Sequence, residues 1–208
     1  MSNNELNEKL KLLIELYNRG KFQDVLSKGN SIKRKFPRSL IIYNILGASN
    51  TGLKKYSDAI NCYNEALKID DSLPDTYNNI GVAYQKKGDQ QMAIKNFEKA
   101  IKLKSDYPEA YNNLGISFKK IRKYKDSLNN YSKALLIKSN FYEAYFNLGA
   151  VLYELGDYEK SLKNYQKAII IKPDYHEAYY NMCAVLPNIT FSEYQPHNYK
   201  FIEKLLDY

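Results

Sequence analysis

The feature that most constrains this chain is a string of residues that returns every 34 positions. Residues 77–84 read YNNIGVAY, and they return as YNNLGISF at 111–118 and as YFNLGAVL at 145–152. The second half of the unit also repeats, with a small residue, an aromatic ring and an alanine at fixed spacing, as in Ala93, Phe97 and Ala100. A fixed period of this length is typical of arrays in which each unit packs only on its neighbours.

Each unit contains two runs with helical spacing, separated by a short polar turn that often carries glycine. Helices of about 12–14 residues are too short to be stable alone in water, so they must pack together. A glycine recurs at one position inside the first run: Gly47, Gly81, Gly115 and Gly149. Because glycine inside a helix costs about 1 kcal/mol relative to alanine, we expect another helix to cross there too closely for a Cβ atom.

These repeated residues resemble the signature of the tetratricopeptide repeat family. The resemblance implies an all-α fold, a right-handed superhelical solenoid of antiparallel helix pairs. The register gives a degenerate N-terminal capping repeat at 1–39, a partial sixth repeat with a terminal helix at 176–208, and four regular repeats at 40–73, 74–107, 108–141 and 142–175. The terminal run carries no C-capping signal, so two alternatives are open there: a chain that is cut short, or a junction with a following domain.

Composition and the N-terminal sequence indicate in which cellular compartment the protein works. The net charge is +8 and the pI is about 9.1. The N-terminus has no apolar core of signal-peptide type, and no apolar run is long enough to span a membrane. We therefore expect a cytoplasmic protein without a membrane partner. Cys62 and Cys183 are distant in sequence, and we expect both to be reduced and buried.

The sequence contains few groups of residues that could carry out catalysis. Its two histidines, His176 and His197, lie in dissimilar contexts, and no Cys/His set has zinc-ligand spacing. Single glycines do not form a phosphate-binding loop. Carboxylates recur at the second position of each repeat, where the positive end of a helix dipole explains them. We expect no enzymatic activity in this chain, no metal and no cofactor, and leave open the activity of a longer parent protein.

The family resemblance implies where a ligand would bind, because the first helix of each repeat lines the concave wall of such arrays. The array is most similar to the N-terminal repeats of O-linked N-acetylglucosamine transferases, which hold substrate polypeptide with an asparagine ladder. Carried over by register, the ladder is Asn79, Asn113, Asn147 and Asn181. An amide offers a donor and an acceptor, as a peptide bond does. The alternative is that these amides only bond a neighbouring turn.

The same register supplies the remaining residues expected on the peptide-binding face. They are Asn44, Asn78, Val82, Gln85, Asn112, Ile116, Lys119, Phe146, Tyr153 and Tyr180. The function expected is a protein–protein interaction scaffold that binds an extended polypeptide in the groove. A first alternative is the substrate-recruiting arm of a larger, glycosyltransferase-like enzyme. The clamp with which chaperone-binding relatives hold a terminal carboxylate is not expected, because the second position, where it needs lysine, is acidic in this chain.

The positive charge gathers at the ends of the first helices and in the turns, as in Lys54-Lys55 and Lys86-Lys87. Cations are favourable at helix C-termini in any case, so a solvated edge explains them without a ligand. The alternatives are an acidic partner or a basic nucleic-acid-binding repeat. Nucleic acid is not expected, because most of the aromatic residues occupy core positions rather than interleaving with the charge. Unfinished ends of such arrays can stack, so end-to-end self-association is a further expectation.

Overall fold

The structure, a computed structural model, describes residues 3–189. All regular structure in this range is helical, with eleven α helices followed by a 3-10 turn at Leu186–Asn188. The helices are α1 (Asn3–Asn18), α2 (Phe22–Lys35), α3 (Leu40–Gly52), α4 (Tyr56–Leu67), α5 (Pro74–Lys87), α6 (Gln90–Leu103), α7 (Pro108–Lys120), α8 (Tyr124–Ile137), α9 (Tyr142–Glu154), α10 (Tyr158–Ile171) and α11 (His176–Val185). The predicted terminal helix within 195–208 lies outside the described residues.

The helices repeat with the period of the sequence. The first helices from the second repeat onward begin at residues 40, 74, 108, 142 and 176, and the second helices begin at residues 22, 56, 90, 124 and 158. Both series advance by the same 34 residues that separate the sequence motifs. The prediction of an all-α array of antiparallel helix pairs is confirmed.

Local signals explain where the helices start and stop. Pro74 and Pro108 occupy the first turns of α5 and α7, where a missing N–H costs nothing. The side chain of Asp89 caps α6 by accepting a hydrogen bond from the backbone N–H of Met92 at 3.0 Å. Position fifteen, counted from the first residue of each repeat, ends the first helix in the left-handed conformation in all five pairs: Gly20, Lys54, Gly88, Arg122 and Gly156.

The chain forms two compact units, one up to Ser117 and one from Phe118 onward. In the first unit, each helix from α1 to α6 packs on the next, and Leu13, Val25 and Leu46 are fully or almost fully buried among α1, α2 and α3. In the second unit, α8 to α11 pack in the same order around Tyr165 and Met182. The division falls inside α7 and does not follow a repeat boundary.

Rings of the second helix explain the recurrent glycines of the first helix. A Cβ atom on Gly81 would lie 2.5 Å from the ring of Phe97, and one on Gly47 would lie 2.5 Å from the ring of Tyr63. Gly149 meets Tyr165 in the same way at 2.9 Å. The prediction of a close crossing without room for a Cβ is confirmed at these three positions, and the partner is the aromatic residue at position twenty-four of the same repeat.

The capping repeat inverts this pairing. It carries Leu13 at the glycine position and Gly29 at the ring position. Leu13 is fully buried, and a Cβ on Gly29 would lie 2.7 Å from the side chain of Leu46. The first pair therefore fills its core from α1 and from the next repeat, instead of from a ring on α2.

Lysine and aromatic side chains form a second repeated contact. Lys99 lies 5.7 Å from the ring centroid of Tyr77, and Lys167 lies 5.2 Å from that of Tyr145. Both pairs join position twenty-six to position four of the same repeat. Such cation–π contacts contribute about 0.5–1 kcal/mol at exposed sites. Lys99 and Lys167 lie in second helices, away from the first-helix ends and turns where the positive charge was expected to gather, and their contacts stabilise the fold.

The prediction for the cysteines is wrong in one respect. Both thiols are free, but Cys183 is exposed and Cys62 is only half-buried. Asn50 donates a hydrogen bond to the sulfur of Cys62 at 3.7 Å, and burial raises the pKa of that thiol. Cys183 takes the place of the recurrent glycine in α11.

Candidate functional site

A cleft of about 460 Å³ opens in the first unit among the first three repeats. We call it the first-helix cleft, because the helices α1, α3 and α5 supply most of its lining. Its size is that of an ordinary ligand pocket. Its lining residues are Tyr17, Ala48, Thr51, Gly52, Lys54, Tyr56, Tyr63, Asn79, Val82 and Lys86.

The repeat explains why these residues meet. Ala48 and Val82 both occupy position nine of their repeats, and Tyr17 and Thr51 both occupy position twelve. Because neighbouring repeats stack with a constant register, residues at one position form a row across the first helices. Asn79 lies one helical turn before Val82, so the two side chains lie on the same face of α5.

Tyr63 lines the cleft and is also part of the buried core. Burial raises the pKa of Tyr63 to about 12, and a hydrogen bond with Thr51 acts weakly in the opposite direction. Thr51 also donates to the carbonyl of Gly47 at 3.0 Å. The phenol is therefore neutral at physiological pH, and it presents a fixed wall rather than a titratable group.

The four predicted ladder amides differ in what they bond. Asn79 is half-buried and makes no side-chain hydrogen bond within residues 3–189. Asn113 donates to Oδ1 of Asn78 at 3.1 Å. Asn147 also has an interaction partner. Burial raises the pKa of Tyr165, and a hydrogen bond with Asn181 acts in the opposite direction.

Position five carries the largest correction to the predicted face. Asn78 and Asn112 are only 8% and 7% exposed, so neither lies open on a groove wall. Asn44 is half-buried, and its Oδ1 accepts a hydrogen bond from Thr76 at 3.1 Å. In the first unit, Asn44 and Asn78 each connect one first helix to the next, because position five turns toward the neighbouring repeat.

Gln85 also connects repeats. Its Nε2 donates to the backbone carbonyl of Asn113 at 3.1 Å and to Oγ of Ser117 at 2.9 Å. With Asn78 and Asn113 it forms a polar network between α5 and α7. Buried polar groups need such partners, since leaving one unpaired costs about 1–3 kcal/mol.

The remaining predicted residues fall into two groups by exposure. Val82 and Ile116 are half-buried in the first unit, and Val82 lines the cleft. In the second unit, Tyr180 is 78% exposed and Tyr153 is 37% exposed. Phe146 instead packs on Tyr165 and Tyr175, with ring centroids 5.7 and 5.0 Å apart, so it belongs largely to the core.

Lys119 is held by an ion pair. Its Nζ lies 3.0 Å from Glu154, which also accepts a hydrogen bond from the hydroxyl of Tyr124 at 2.7 Å. Burial alone would raise the pKa of Glu154, but these two hydrogen bonds outweigh it and lower the pKa. Lys119 therefore joins α7 to α9 within the second unit.

Of the ten residues that line the cleft, only Asn79 and Val82 were predicted for the peptide-binding face. Tyr17 shares position twelve with Thr51, but the first repeat was treated as a cap without a ligand-binding role. Lys86 is at position thirteen, one residue after the position that Tyr17 and Thr51 share. Lys54 and Tyr56 lie in or beside a turn, and their nearness to the cleft carried no signal in the sequence.

Neither a metal centre nor a membrane span is present in the described part of the chain. Across residues 3–189, no three His, Cys, Asp or Glu side chains are grouped closely enough to hold a metal ion. No helix in that range is both long and apolar enough to cross a bilayer.

Comparison with known proteins identifies the repeats. The family model described as TPR repeat matches residues 53–88 and 123–156, and the model described as Tetratricopeptide repeat matches 74–107 and 142–175. Together these matches cover more than half of the chain. No curated protein sequence matches it significantly.

Solved structures share the fold at low sequence identity. MamA superimposes with a TM-score of 0.68 at 21% identity, covering 78% of this chain and 95% of MamA. PilF of Pseudomonas aeruginosa gives a TM-score of 0.76 at 16% identity, covering 88% and 84%. YrrB, described as a TPR protein with an unusual peptide-binding site, gives 0.65 at 18% identity, covering 83% and 89%.

Proposed function

The chain belongs to the tetratricopeptide repeat family, and on that premise we propose that it is a scaffold that binds an extended polypeptide along its first helices. The observation that carries the proposal is the first-helix cleft, where the amide of Asn79 lies beside Val82 and Ala48. This amide has no hydrogen-bond partner among residues 3–189. It can therefore donate to and accept from one peptide group of a ligand.

The four asparagines of the proposed ladder are not equivalent. Asn79 is its principal member. Asn113 uses one N–H for Asn78, which leaves its second N–H and its carbonyl oxygen for a ligand. In the second unit, the exposed rings of Tyr153 and Tyr180 supply apolar contact, and Asn147 and Asn181 extend the set of amides.

Selection from a phage-displayed library of random peptides tests the proposal. A peptide enriched on the wild-type protein is synthesised, and its dissociation constant is measured by fluorescence anisotropy. Asn79→Ala is expected to weaken binding about fivefold, since a neutral hydrogen bond contributes about 1 kcal/mol. The matched control is Asn61→Ala, which removes an exposed amide on α4 outside the cleft. Equal affinity of the two variants would remove Asn79 from the site.

A second proposal is that the repeats recruit substrate for a transferase. It rests on the resemblance of the array to the repeats of O-linked N-acetylglucosamine transferases, which share the asparagines at position six. The reading frame after Tyr208 tests it. A catalytic domain encoded there would support recruitment, and a stop codon directly after Tyr208 would contradict it.

A further inference from the structure

The charged side chains that line the first-helix cleft are all positive. Lys54 and Lys86 line it, and none of its lining residues is acidic. The two lysines occupy different positions of their repeats, but both lie near the C-terminal end of a first helix: Lys54 in the turn after α3, and Lys86 in the last turn of α5. The negative end of the helix dipole favours a cation there, but that effect does not require both cations to border one cleft.

Neither ammonium group is neutralised by its surroundings. Within residues 3–189, Lys54 and Lys86 make no ion pair and lie over no aromatic ring. Other lysines of the chain do find such partners: Lys99 lies over Tyr77 and Lys119 pairs with Glu154. Among the described residues, the two cations of the cleft therefore have no counter-charge.

Lys54 is also kept at a conformational cost. It occupies position fifteen with φ of 59°, where three of the five turns use glycine. A side chain in this left-handed region costs about 1–2 kcal/mol, which glycine avoids. At this turn a long cationic side chain lies at the edge of the cleft in spite of that backbone strain.

The lining supplies further hydrogen-bond donors. The hydroxyl groups of Tyr17 and Tyr56 and the amide of Asn79 can each donate to an oxyanion. Ammonium groups together with phenol and amide donors are the partners that an anionic oxygen needs when it leaves water. The apolar side chains of Ala48 and Val82 can cover the carbon atoms beside it.

We propose that the first-helix cleft binds an anionic side chain, a carboxylate or a phosphate monoester, of the extended peptide. This inference rests on the proposed function, because it names the chemistry of the segment that the first helices hold. It differs from recognition of a chain terminus, since the cations come from a turn and a helix end rather than from the second and sixth positions.

The composition of selected peptides tests the inference. Random phage-displayed peptides are selected on the wild-type protein, on Lys54→Gln/Lys86→Gln and on the control Lys87→Gln, which removes the neighbouring exposed charge of α5. We expect Asp and Glu to be enriched on the wild type and on the control, and to lose their enrichment on the double variant. Peptides selected without acidic enrichment would overturn the inference while leaving the proposed function standing. Failure to select any peptide would overturn both.

Synthetic peptides then identify the anion. One selected peptide is prepared with its acidic residue as Glu, Gln or phosphoserine, and each dissociation constant is measured by anisotropy. The Gln peptide is expected to bind about tenfold more weakly than the Glu peptide. Salt at about 1 M, where the Debye length is about 3 Å, is expected to narrow that difference. Tighter binding of the phosphoserine peptide would assign the phosphate, tighter binding of the Glu peptide would assign the carboxylate, and equal binding of all three would overturn the inference.

Discussion

Asn78 and Asn79 are neighbours in the chain and differ in almost every structural respect. Asn78 is buried and accepts a hydrogen bond from Asn113, whereas Asn79 lines the first-helix cleft without a hydrogen-bond partner among residues 3–189. Successive residues of a helix point about 100° apart, and here that rotation separates a side chain that joins two repeats from one that lines the cleft.

This difference predicts opposite effects of two alanine substitutions. Asn78→Ala leaves the amide of Asn113 without its acceptor and is expected to lower the free energy of unfolding by about 1–2 kcal/mol. Asn79→Ala removes no internal hydrogen bond and is expected to change it by less than about 0.5 kcal/mol. Urea unfolding followed by circular dichroism measures both. A loss of stability in Asn79→Ala as large as that in Asn78→Ala would show that Asn79 also holds the fold.

The sequence could predict the position of each residue in its repeat but not its surroundings. The 34-residue register predicted the helix starts, and it assigned to the expected peptide-binding face Asn79 and Val82, which line the first-helix cleft. It assigned Asn78 and Gln85 to the same face, because burial at these positions depends on how closely α7 approaches α5. The register also described the first repeat as degenerate, whereas the three-dimensional contacts show Leu13 and Gly29 exchanging large and small positions.

At the scale of helices, three of the four regular pairs are held by a ring that packs on a glycine, at Gly47, Gly81 and Gly149. The ring of Phe97 on α6 approaches Gly81 of α5 so closely that a Cβ would be 2.5 Å away. Alanine usually stabilises a helix relative to glycine, so this contact reverses the ordinary preference. The spacing between the two helices of a pair therefore depends on the absence of one methyl group.

Gly81→Ala is accordingly expected to destabilise the protein by about 1–3 kcal/mol, the usual cost of overpacking a core. The measurement is the urea midpoint and its slope. Phe97→Leu in the same background supplies the control, since the smaller side chain relieves the contact and is expected to recover part of the loss. If Gly81→Ala raised stability, the helix pair would have room for the methyl group and the close crossing would be excluded.

At the scale of the whole molecule, both compact units contain a buried phenol at position twenty-four. Burial raises the pKa of Tyr63 in the first unit to about 12, and burial does the same for Tyr165 in the second unit. Because the folded state favours the neutral phenol, its contribution to stability is complete below the unfolded pKa of about 10. The contribution is lost as the pH rises from about 10 to about 12.

We therefore expect alkaline unfolding in that window. The free energy of unfolding, measured in urea at rising pH, should fall as tyrosinate absorbance grows. Tyr63→Phe is expected to weaken this pH dependence without loss of the fold, because the third repeat carries Phe97 at the same position. Tyrosinate formation by all tyrosines near pH 10 in a folded protein would show that these phenols are accessible to solvent.

Mapping the bound peptide onto the protein tests the central claim most directly. Backbone amide signals are assigned by NMR, and a selected peptide is titrated into the labelled protein. Binding along the first helices predicts that the largest shifts fall on Ala48, Thr51, Asn79 and Val82. Shifts confined to the exposed face of α10, at Lys163 and Ile170, with the cleft signals unchanged, would contradict the account.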